Sequence, residues 1–219
     1  MWSSVFGTDE HTSLEDWMRL VIARHGQTKS QTEARYVGDE DGLSDIGLAQ
    51  ASALGLRLRS ETVDAVYCSD SRRALETILR AAEHVPLPEV TIEPLLREGS
   101  VGRWVSLPTS TRRKEAEIAG VPIWTVQPPG GESWIQISER VGPVLDSIRQ
   151  RHSEDTVLIV GHGRINTLAI RMLEDQPWSE YPGTQQPHGS ITVVEWTAAR
   201  IEVKLRDDNS FMNPALRTI

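Results

Sequence analysis

The chain has 219 residues, of which 38% are hydrophobic and 25% are charged, and its formal net charge is −8 at pH 7. This composition is typical of a globular protein with a sizeable core; no apolar run is long enough for a membrane-spanning helix, and no membrane partner is expected. The negative charge argues against nucleic acid as a partner, because phosphate backbones are bound by basic faces. The single cysteine and the lack of a signal-like start favour a cytoplasmic location.

Residues 1–18 are predicted to form a polar, acidic leader. Thr12 and Glu15 have the spacing of a capping box, which predicts a short helix that runs into Trp17. Trp2 and Trp17 are candidates to anchor this leader on the rest of the chain or on a partner subunit. The sequence therefore leaves open whether the chain forms a homodimer.

Short apolar runs and residues at helical spacing alternate along the rest of the chain. The expected elements, in chain order, are a strand at 20–23, a helix capped by Ser44, a strand at 65–68, a helix carrying Ala74 and Ile78, a helix opened by Glu132, a strand at 156–160, a helix carrying Ile165 and Leu168, and a hairpin of 191–197 with 201–205. Residues 99–131 are expected to be irregular, and Pro143 is expected to kink or split its helix. The alternation indicates one α/β domain over residues 19–208, covered by helices on both faces, with residues 209–219 as a tail.

Polar side chains that suit an anion follow three of the predicted strands. Arg24 and His25 follow the first strand, Arg73 lies in the helix after the second, and His162 follows the third. In open α/β sheets the ligand crevice lies beyond the carboxyl ends of the strands, so these side chains are expected to meet. Two arginines and two histidines at one point predict a strong anion site, with Glu98 as a candidate acid beside it.

A series of short motifs connects these residues. In order, they are Arg24-His25-Gly26-Gln27-Thr28, Leu43-Ser44 with Gly47 and Gln50-Ala51, Ser69-Asp70 before Arg73-Ala74, Leu96-Arg97-Glu98, Pro129-Gly130-Gly131-Glu132-Ser133, Gly161-His162-Gly163 and Gly189-Ser190. Over residues 19–197 this series resembles the histidine phosphatase superfamily and its phosphoglycerate mutase-like branch, with a looser similarity to fructose-2,6-bisphosphatase-like members. The resemblance implies a single-domain, three-layer α/β/α sandwich with a mostly parallel central sheet.

The resemblance also implies roles for the clustered residues. His25 would be the nucleophile that forms a phosphohistidine, without a metal or other cofactor, and Gly26 would let the backbone turn beneath the anion. Arg24 and Arg73 would bind the phosphoryl oxygens, and His162, if protonated, would add a donor. Glu98 would protonate the leaving alkoxide and then activate water, which predicts an activity optimum on the acid side of neutrality. The expected partner is a small anionic phosphorylated substrate.

Four further positions are expected to contact phosphate or substrate: Thr28, Gln31, Gly38 and Gly163. Gln31 stands where many members of the family have asparagine, and Val37 precedes Gly38 where serine or threonine is common. Both differences affect the expected positioning of the substrate rather than phosphoryl transfer itself.

Other functions remain open. The related mutases have a longer insertion after the acid and a tyrosine at the position of Val101, which favours a phosphatase over a mutase. A non-catalytic phosphate-binding module is a third possibility, and a zinc hydrolase that uses His25, His162 and Glu98 is a fourth.

Three further features are expected at the edge of the site. The basic run Arg112, Arg113 and Lys114 either reaches a second phosphate or forms a solvated helix face, and we favour the solvated face. Trp104 is expected to form part of the pocket wall, and His188 is expected to lie near the pocket.

Overall fold

The computed structural model describes residues 17–33, 35–36, 38–181 and 185–219. Within these ranges the strands are β1 Trp17–Arg24, β2 Ala65–Cys68, β3 Val90–Ile92, β4 Thr156–Gly161, β5 Ile191–Thr197 and β6 Ile201–Asp208. The α-helices are α1 Asp45–Leu58, α2 Arg72–Ala82, α3 Thr111–Ala119, α4 Trp134–Arg151 and α5 Gly163–Leu173.

The six strands form one sheet in the order β3-β2-β4-β1-β5-β6. Strands β3, β2, β4 and β1 are parallel, β5 pairs antiparallel with β1, and β6 pairs antiparallel with β5. The expected mostly parallel sheet and the terminal hairpin are confirmed. Because β1 and β4 are neighbours in the centre, their carboxyl ends lie side by side.

Helices cover both faces of the sheet, as the alternation in β1 shows. Val21 and Ala23 pack in a core with α1 and α2, whereas Leu20 and Ile22 pack in a second core with α4 and α5. Each fully buried aliphatic side chain of this size contributes roughly 1.5–3 kcal/mol relative to an exposed one. The three-layer α/β/α arrangement is confirmed.

The expectation that residues 99–131 are irregular is wrong, because α3 lies within them. This helix buries only Arg112 and Ala116, so its sequence lacks an apolar stripe. Strand β3 was not expected either, and at three residues it is too short for a periodic pattern.

The structure also differs from the expectations for Pro143 and for Trp17. Helix α4 continues through Pro143, so the expected split is wrong, while the kink stays a prediction; eight buried residues along the helix hold both halves against the sheet. Trp17 begins strand β1 instead of ending a helix, and its N–H donates to the Ser153 carbonyl at 2.8 Å. The predicted capping box at Thr12 lies outside the described residues.

The last eleven residues pack against the domain. Met212 is buried, and the buried amide of Gln50 donates to the Leu216 carbonyl at 2.5 Å and to Thr218 Oγ1 at 2.9 Å. The His188 N–H donates to the Thr218 carbonyl at 3.0 Å. The predicted tail therefore runs beside the carboxyl end of β1. No helix in the described ranges has the length and apolar character needed to cross a bilayer.

Candidate active site

The end of strand β1 is held from both sides. The His25 N–H donates to the Gly161 carbonyl of β4 at 3.0 Å, and the Arg24 N–H donates to the Ser190 carbonyl at 3.1 Å. The His25 carbonyl accepts the Gly189 N–H at 3.2 Å. The backbone of the Arg24-His25 pair is therefore fixed by the main chain on either side, as a reactive side chain requires.

Close backbone contact, rather than a special turn, explains the glycine after His25. A Cβ on Gly26 would lie 2.4 Å from the Gly47 carbonyl oxygen, and one on Gly47 would lie 2.1 Å from the Gln27 carbonyl oxygen. Neither glycine has a positive φ. The expectation that Gly26 allows a turn is corrected: both glycines let the start of α1 pack directly on the segment after β1.

The hydrogen bonding and burial of His25 favour a neutral imidazole. Its Nδ1 lies 2.7 Å from the Gly26 carbonyl oxygen, which can only accept, so Nδ1 carries the proton and Nε2 carries the lone pair. Burial lowers the pKa of His25 well below its ordinary value, and the charges of Arg73 and Arg24 lower it further. The ring is therefore neutral at pH 7, in the form that can attack phosphorus.

His162 is held in the opposite tautomer. Arg73 Nε donates to His162 Nδ1 at 3.2 Å, so His162 Nε2 carries the proton and donates to Ser69 Oγ at 2.9 Å. The His25 and His162 ring centroids are 5.0 Å apart. Burial, followed by Arg73, Arg24 and Arg140, lowers the pKa of His162 well below its ordinary value. In the ligand-free protein the structure favours neutral His162 over the protonated form.

The two predicted arginines are buried at the cleft. Arg24 donates through Nη1 to the Gln186 carbonyl and through Nη2 to His188 Nε2 at 2.8 Å, and its buried Nε has no partner among the described residues. Burial lowers the pKa of Arg24 to about 10, which leaves it charged at pH 7. Arg73 donates through Nη1 to the Gly38 carbonyl at 2.8 Å. A buried, unpartnered guanidinium N–H is costly, and an anionic ligand would satisfy it.

Glu98 lies at the start of helix α5. Its Oε2 accepts the Arg164 N–H at 3.1 Å, and its Oε1 accepts the Gly99 N–H at 2.9 Å. A Cβ on Gly163 would lie 2.9 Å from Arg24 Cζ, so glycine allows the Arg24 guanidinium to lie against the first turn of α5. The carboxylate and the cation thus lie at the same helix N-terminus, whose dipole favours negative charge.

The remaining predicted binding residues differ in their placement. Gln31 lines the cleft, and its Oε1 accepts the Thr28 N–H at 3.1 Å. Gly38 also lines the cleft and supports Arg73 through its carbonyl. Thr28 is fully buried and lies outside the cleft lining, with an Oγ1 that has no partner among the described residues. Val37 falls outside the described residues.

The cleft around these residues is strongly cationic. It encloses about 970 Å³. Seven arginines line it, namely Arg24, Arg35, Arg73, Arg97, Arg112, Arg140 and Arg164. Among the described residues, the acidic side chains in its lining are Asp39, Glu98 and Glu132. A chain with a net charge of −8 therefore concentrates positive charge at one opening, which attracts small anions.

Arg112 differs from the favoured interpretation of the basic run, the solvated face. It is buried, with its guanidinium 5.6 Å from the Trp104 ring centroid and 5.7 Å from that of Trp134. It donates to the Val126 carbonyl and, at 3.1 Å, to the Glu132 carbonyl. The expected solvated face is wrong for Arg112, which forms part of the cleft wall. Its spacing of four residues from buried Ala116 is the signal that marks this face.

Other residues around the site were expected only in part or not at all. His188 lines the cleft as expected, with its ring centroid 5.9 Å from that of His25. Trp104 lies behind the lining and stacks on Tyr36 at 6.2 Å. Ser69 was not predicted as a functional residue, although it orients His162. Its sequence signals were its position directly after β2 and its place in the Ser69-Asp70 motif.

Buried neutral histidines make stability depend on pH. The pKa values of His25, His162 and His188 are all lowered, that of His188 to about 2 through burial and the Arg24 charge. Below pH 6.5 the unfolded chain therefore binds more protons than the folded chain, so stability falls as pH falls. We expect a slope of at most about 4 kcal/mol per pH unit from the three groups together.

Urea unfolding in phosphate-free buffer between pH 7.5 and 5.5 measures this slope. His188→Asn is expected to make it shallower by up to about 1.4 kcal/mol per pH unit. A free energy of unfolding that stays constant below pH 6.5 would contradict the buried neutral state of these histidines.

Similarity to known proteins covers most of the chain. A model of the histidine phosphatase superfamily (branch 1) matches residues 20–209. The chain is 34% identical over 153 residues to the metal-independent phosphoserine phosphatase of Arabidopsis thaliana, a match that covers 67% of this chain and 64% of that protein. It is 32% identical over 178 residues to an acid phosphatase of Mycobacterium tuberculosis, covering 80% and 85%. The matched segment thus spans just under two thirds of the length of the Arabidopsis relative.

The fold is also similar to a solved structure, Bacillus stearothermophilus YhfR. The TM-score is 0.78 at 29% sequence identity, and the match covers 90% of this chain and 100% of that chain.

Proposed function

Because the chain belongs to branch 1 of the histidine phosphatase superfamily, we propose that it hydrolyses a small anionic phosphomonoester through a phosphohistidine on His25. One observation carries this proposal: a neutral His25, whose Nε2 carries the lone pair and has no hydrogen-bond partner among the described residues, lies at the cleft beside two buried arginines. Similarity to proteins named phosphoserine phosphatase and acid phosphatase supports hydrolysis as the reaction.

In the proposed first step, His25 Nε2 attacks phosphorus in line with the leaving oxygen. Negative charge is then spread over three equatorial oxygens. The unpartnered Arg24 Nε, the Arg73 guanidinium and the N-terminus of α5 offer preorganised positive charge to those oxygens. These groups are in place before substrate arrives, so little reorganisation accompanies the reaction.

Glu98 is the proposed general acid and base. It transfers a proton to the leaving alkoxide and, in the second step, removes one from the water that hydrolyses the phosphohistidine. Its carboxylate oxygens accept two backbone N–H groups, and among the described residues no side-chain cation donates to them.

The proposed reaction uses no metal ion. The cleft arginines supply the positive charge that a metal would otherwise place on the phosphoryl oxygens. The name of the Arabidopsis relative, metal-independent phosphoserine phosphatase, points the same way. We further propose a cytoplasmic location, which the lone and buried Cys68 thiol supports.

Phosphate release by the purified protein after treatment with a chelator tests this function. We expect turnover of p-nitrophenyl phosphate and of at least one class among sugar phosphates, bisphosphates, phosphoglycerates, phosphoserine and nucleotides. With 3-phosphoglycerate, a phosphatase releases inorganic phosphate, whereas a mutase forms 2-phosphoglycerate. Binding of phosphorylated ligands without any turnover would instead make the chain a non-catalytic module.

A further inference from the structure

The segment that carries Glu98 has little regular structure of its own. It follows a 3₁₀ turn at Pro94–Leu96 and lies outside the sheet. A general acid must nevertheless lie within about 2.6–3.2 Å of the oxygen that it protonates. The side chains that hold this segment therefore decide where the acid is.

Arg140 of helix α4 binds the backbone before and at Glu98. Its Nη1 donates to the Leu95 carbonyl at 2.5 Å, and its Nη2 donates to the Arg97 carbonyl at 2.9 Å and to the Glu98 carbonyl at 3.4 Å. A planar guanidinium with donors in a fixed fork can span three carbonyls in this way, whereas an ammonium group cannot.

Glu132 binds the same segment after Glu98. Its Oε2 accepts the Ser100 N–H at 2.8 Å, and its own N–H donates to the Ser100 carbonyl at 2.8 Å. Glu132 also pairs with Arg140 in a bidentate geometry, with Nε–Oε1 at 2.8 Å and Nη2–Oε2 at 3.0 Å. Burial alone would raise the pKa of Glu132, but the hydrogen bonds from Arg140 and Ser100 lower it overall. This ion pair thus contacts the backbone on both sides of Glu98.

The segment that carries Glu98 also packs closely against helix α4. A Cβ on Gly99 would lie 2.2 Å from Ile137 Cδ1, so the segment lies directly against α4. The reciprocal capping box of Ser133 and Gln136 fixes the start of α4 immediately after Glu132. The two halves of the ion pair are therefore held by one rigid helix end.

We propose that the Arg140–Glu132 ion pair is a positioning unit that holds the Glu98 carboxyl group at the leaving-group oxygen. The proposal rests on the function above, in which Glu98 is the general acid. Neither residue needs to touch the phosphoryl group. Loss of the pair displaces the acid while His25, Arg24 and Arg73 stay in place, and a displacement of about 1 Å can reduce such a step by roughly 10²-fold.

Leaving-group dependence separates this role from general structural damage. A poor leaving group needs the proton from Glu98, whereas p-nitrophenolate leaves almost as well without it. Substituted phenyl phosphates of similar shape, from p-nitro to p-methoxy, therefore measure how well the acid is placed. The parameter kcat/KM covers the reaction only as far as release of the phenol, so the rate of phosphohistidine hydrolysis does not affect it.

For Arg140→Met we expect kcat/KM on phenyl phosphate to fall about 10- to 100-fold and on p-nitrophenyl phosphate by less than about threefold. The plot of log kcat/KM against leaving-group pKa becomes steeper, as it also does for Glu98→Gln. Arg140→Lys is expected to resemble Arg140→Met. Arg151→Met, at an exposed position on the same helix, should match the unaltered protein.

Glu132→Gln keeps the shape of the side chain and provides a second variant if Arg140→Met does not fold. It is expected to steepen the same plot, at an unchanged thermal midpoint in the presence of vanadate. An equal loss on every phenyl phosphate, or no loss on any, overturns the positioning role. If the unaltered protein hydrolyses none of these esters, the proposed function fails first.

Discussion

Replacing His25 with asparagine is expected to reduce phosphate release at least about 10⁴-fold, because the covalent step loses its nucleophile. Asparagine is suited to the position, since its amide N–H can replace Nδ1–H as donor to the Gly26 carbonyl. The arginines and His162 keep their contacts. The variant should therefore still bind inorganic phosphate or vanadate, with chemistry rather than binding removed.

Rapid acid-free quenching with radiolabelled substrate checks the same point directly. The unaltered protein should carry label on His25, and His25→Asn should carry none. His84→Asn serves as the matched histidine control, since His84 lies outside the cleft lining and should leave both phosphate release and labelling unchanged. Full turnover by His25→Asn would reject the phosphohistidine.

The convergence of the site residues could be predicted from the sequence because it follows from sheet topology. His25 ends β1 and His162 follows β4, and neighbouring parallel strands place both residues at one edge. Arg73 could be predicted for a related reason, since it lies in the first turn of the helix after β2, the other neighbour of β4.

The rest depends on contacts between segments that are distant in sequence. The tautomer of His162 is set by Ser69 and Arg73, about ninety residues earlier in the chain. The burial of Arg112 depends on two tryptophan rings and two carbonyls, and a buried arginine contributes nothing to hydrophobic periodicity. Such features need distances and burial, which motif order does not contain.

The balance of charge at the site also depends on residues that are distant from one another in the sequence. The protein is acidic, yet most of the charged residues described in its cleft lining are arginines, and their positions are scattered from Arg24 to Arg164. Burial lowers the pKa values of His25 and His162 most, and the charges of Arg73 and Arg24 lower them further. In the proposed mechanism, the charge that would bind phosphate and the charge that lowers the pKa of the proposed nucleophile therefore come from the same residues.

Arg73→Met tests this double role. Loss of one preorganised cation from the phosphoryl site is expected to lower kcat/KM about 10²- to 10³-fold at pH 7.5. The second effect concerns His25: after burial, the Arg73 charge is the largest cause of its lowered pKa, so the variant has a higher His25 pKa. His25 then becomes protonated at a higher pH, and the acid limb of kcat/KM moves upward, since this parameter reports groups of the free enzyme.

The measurement is a pH profile of kcat/KM from pH 5 to 8 for both proteins with one substrate, whose own second ionisation near pH 6 affects both equally. The defect of Arg73→Met should be larger at pH 5.5 than at pH 7.5. Arg72→Met is the matched control, because Arg72 is the exposed neighbour on α2 and pairs with Glu76 at 2.7 Å outside the cleft lining. A defect that is equal at every pH would contradict a raised His25 pKa in the variant and would leave Arg73 as a phosphate ligand alone.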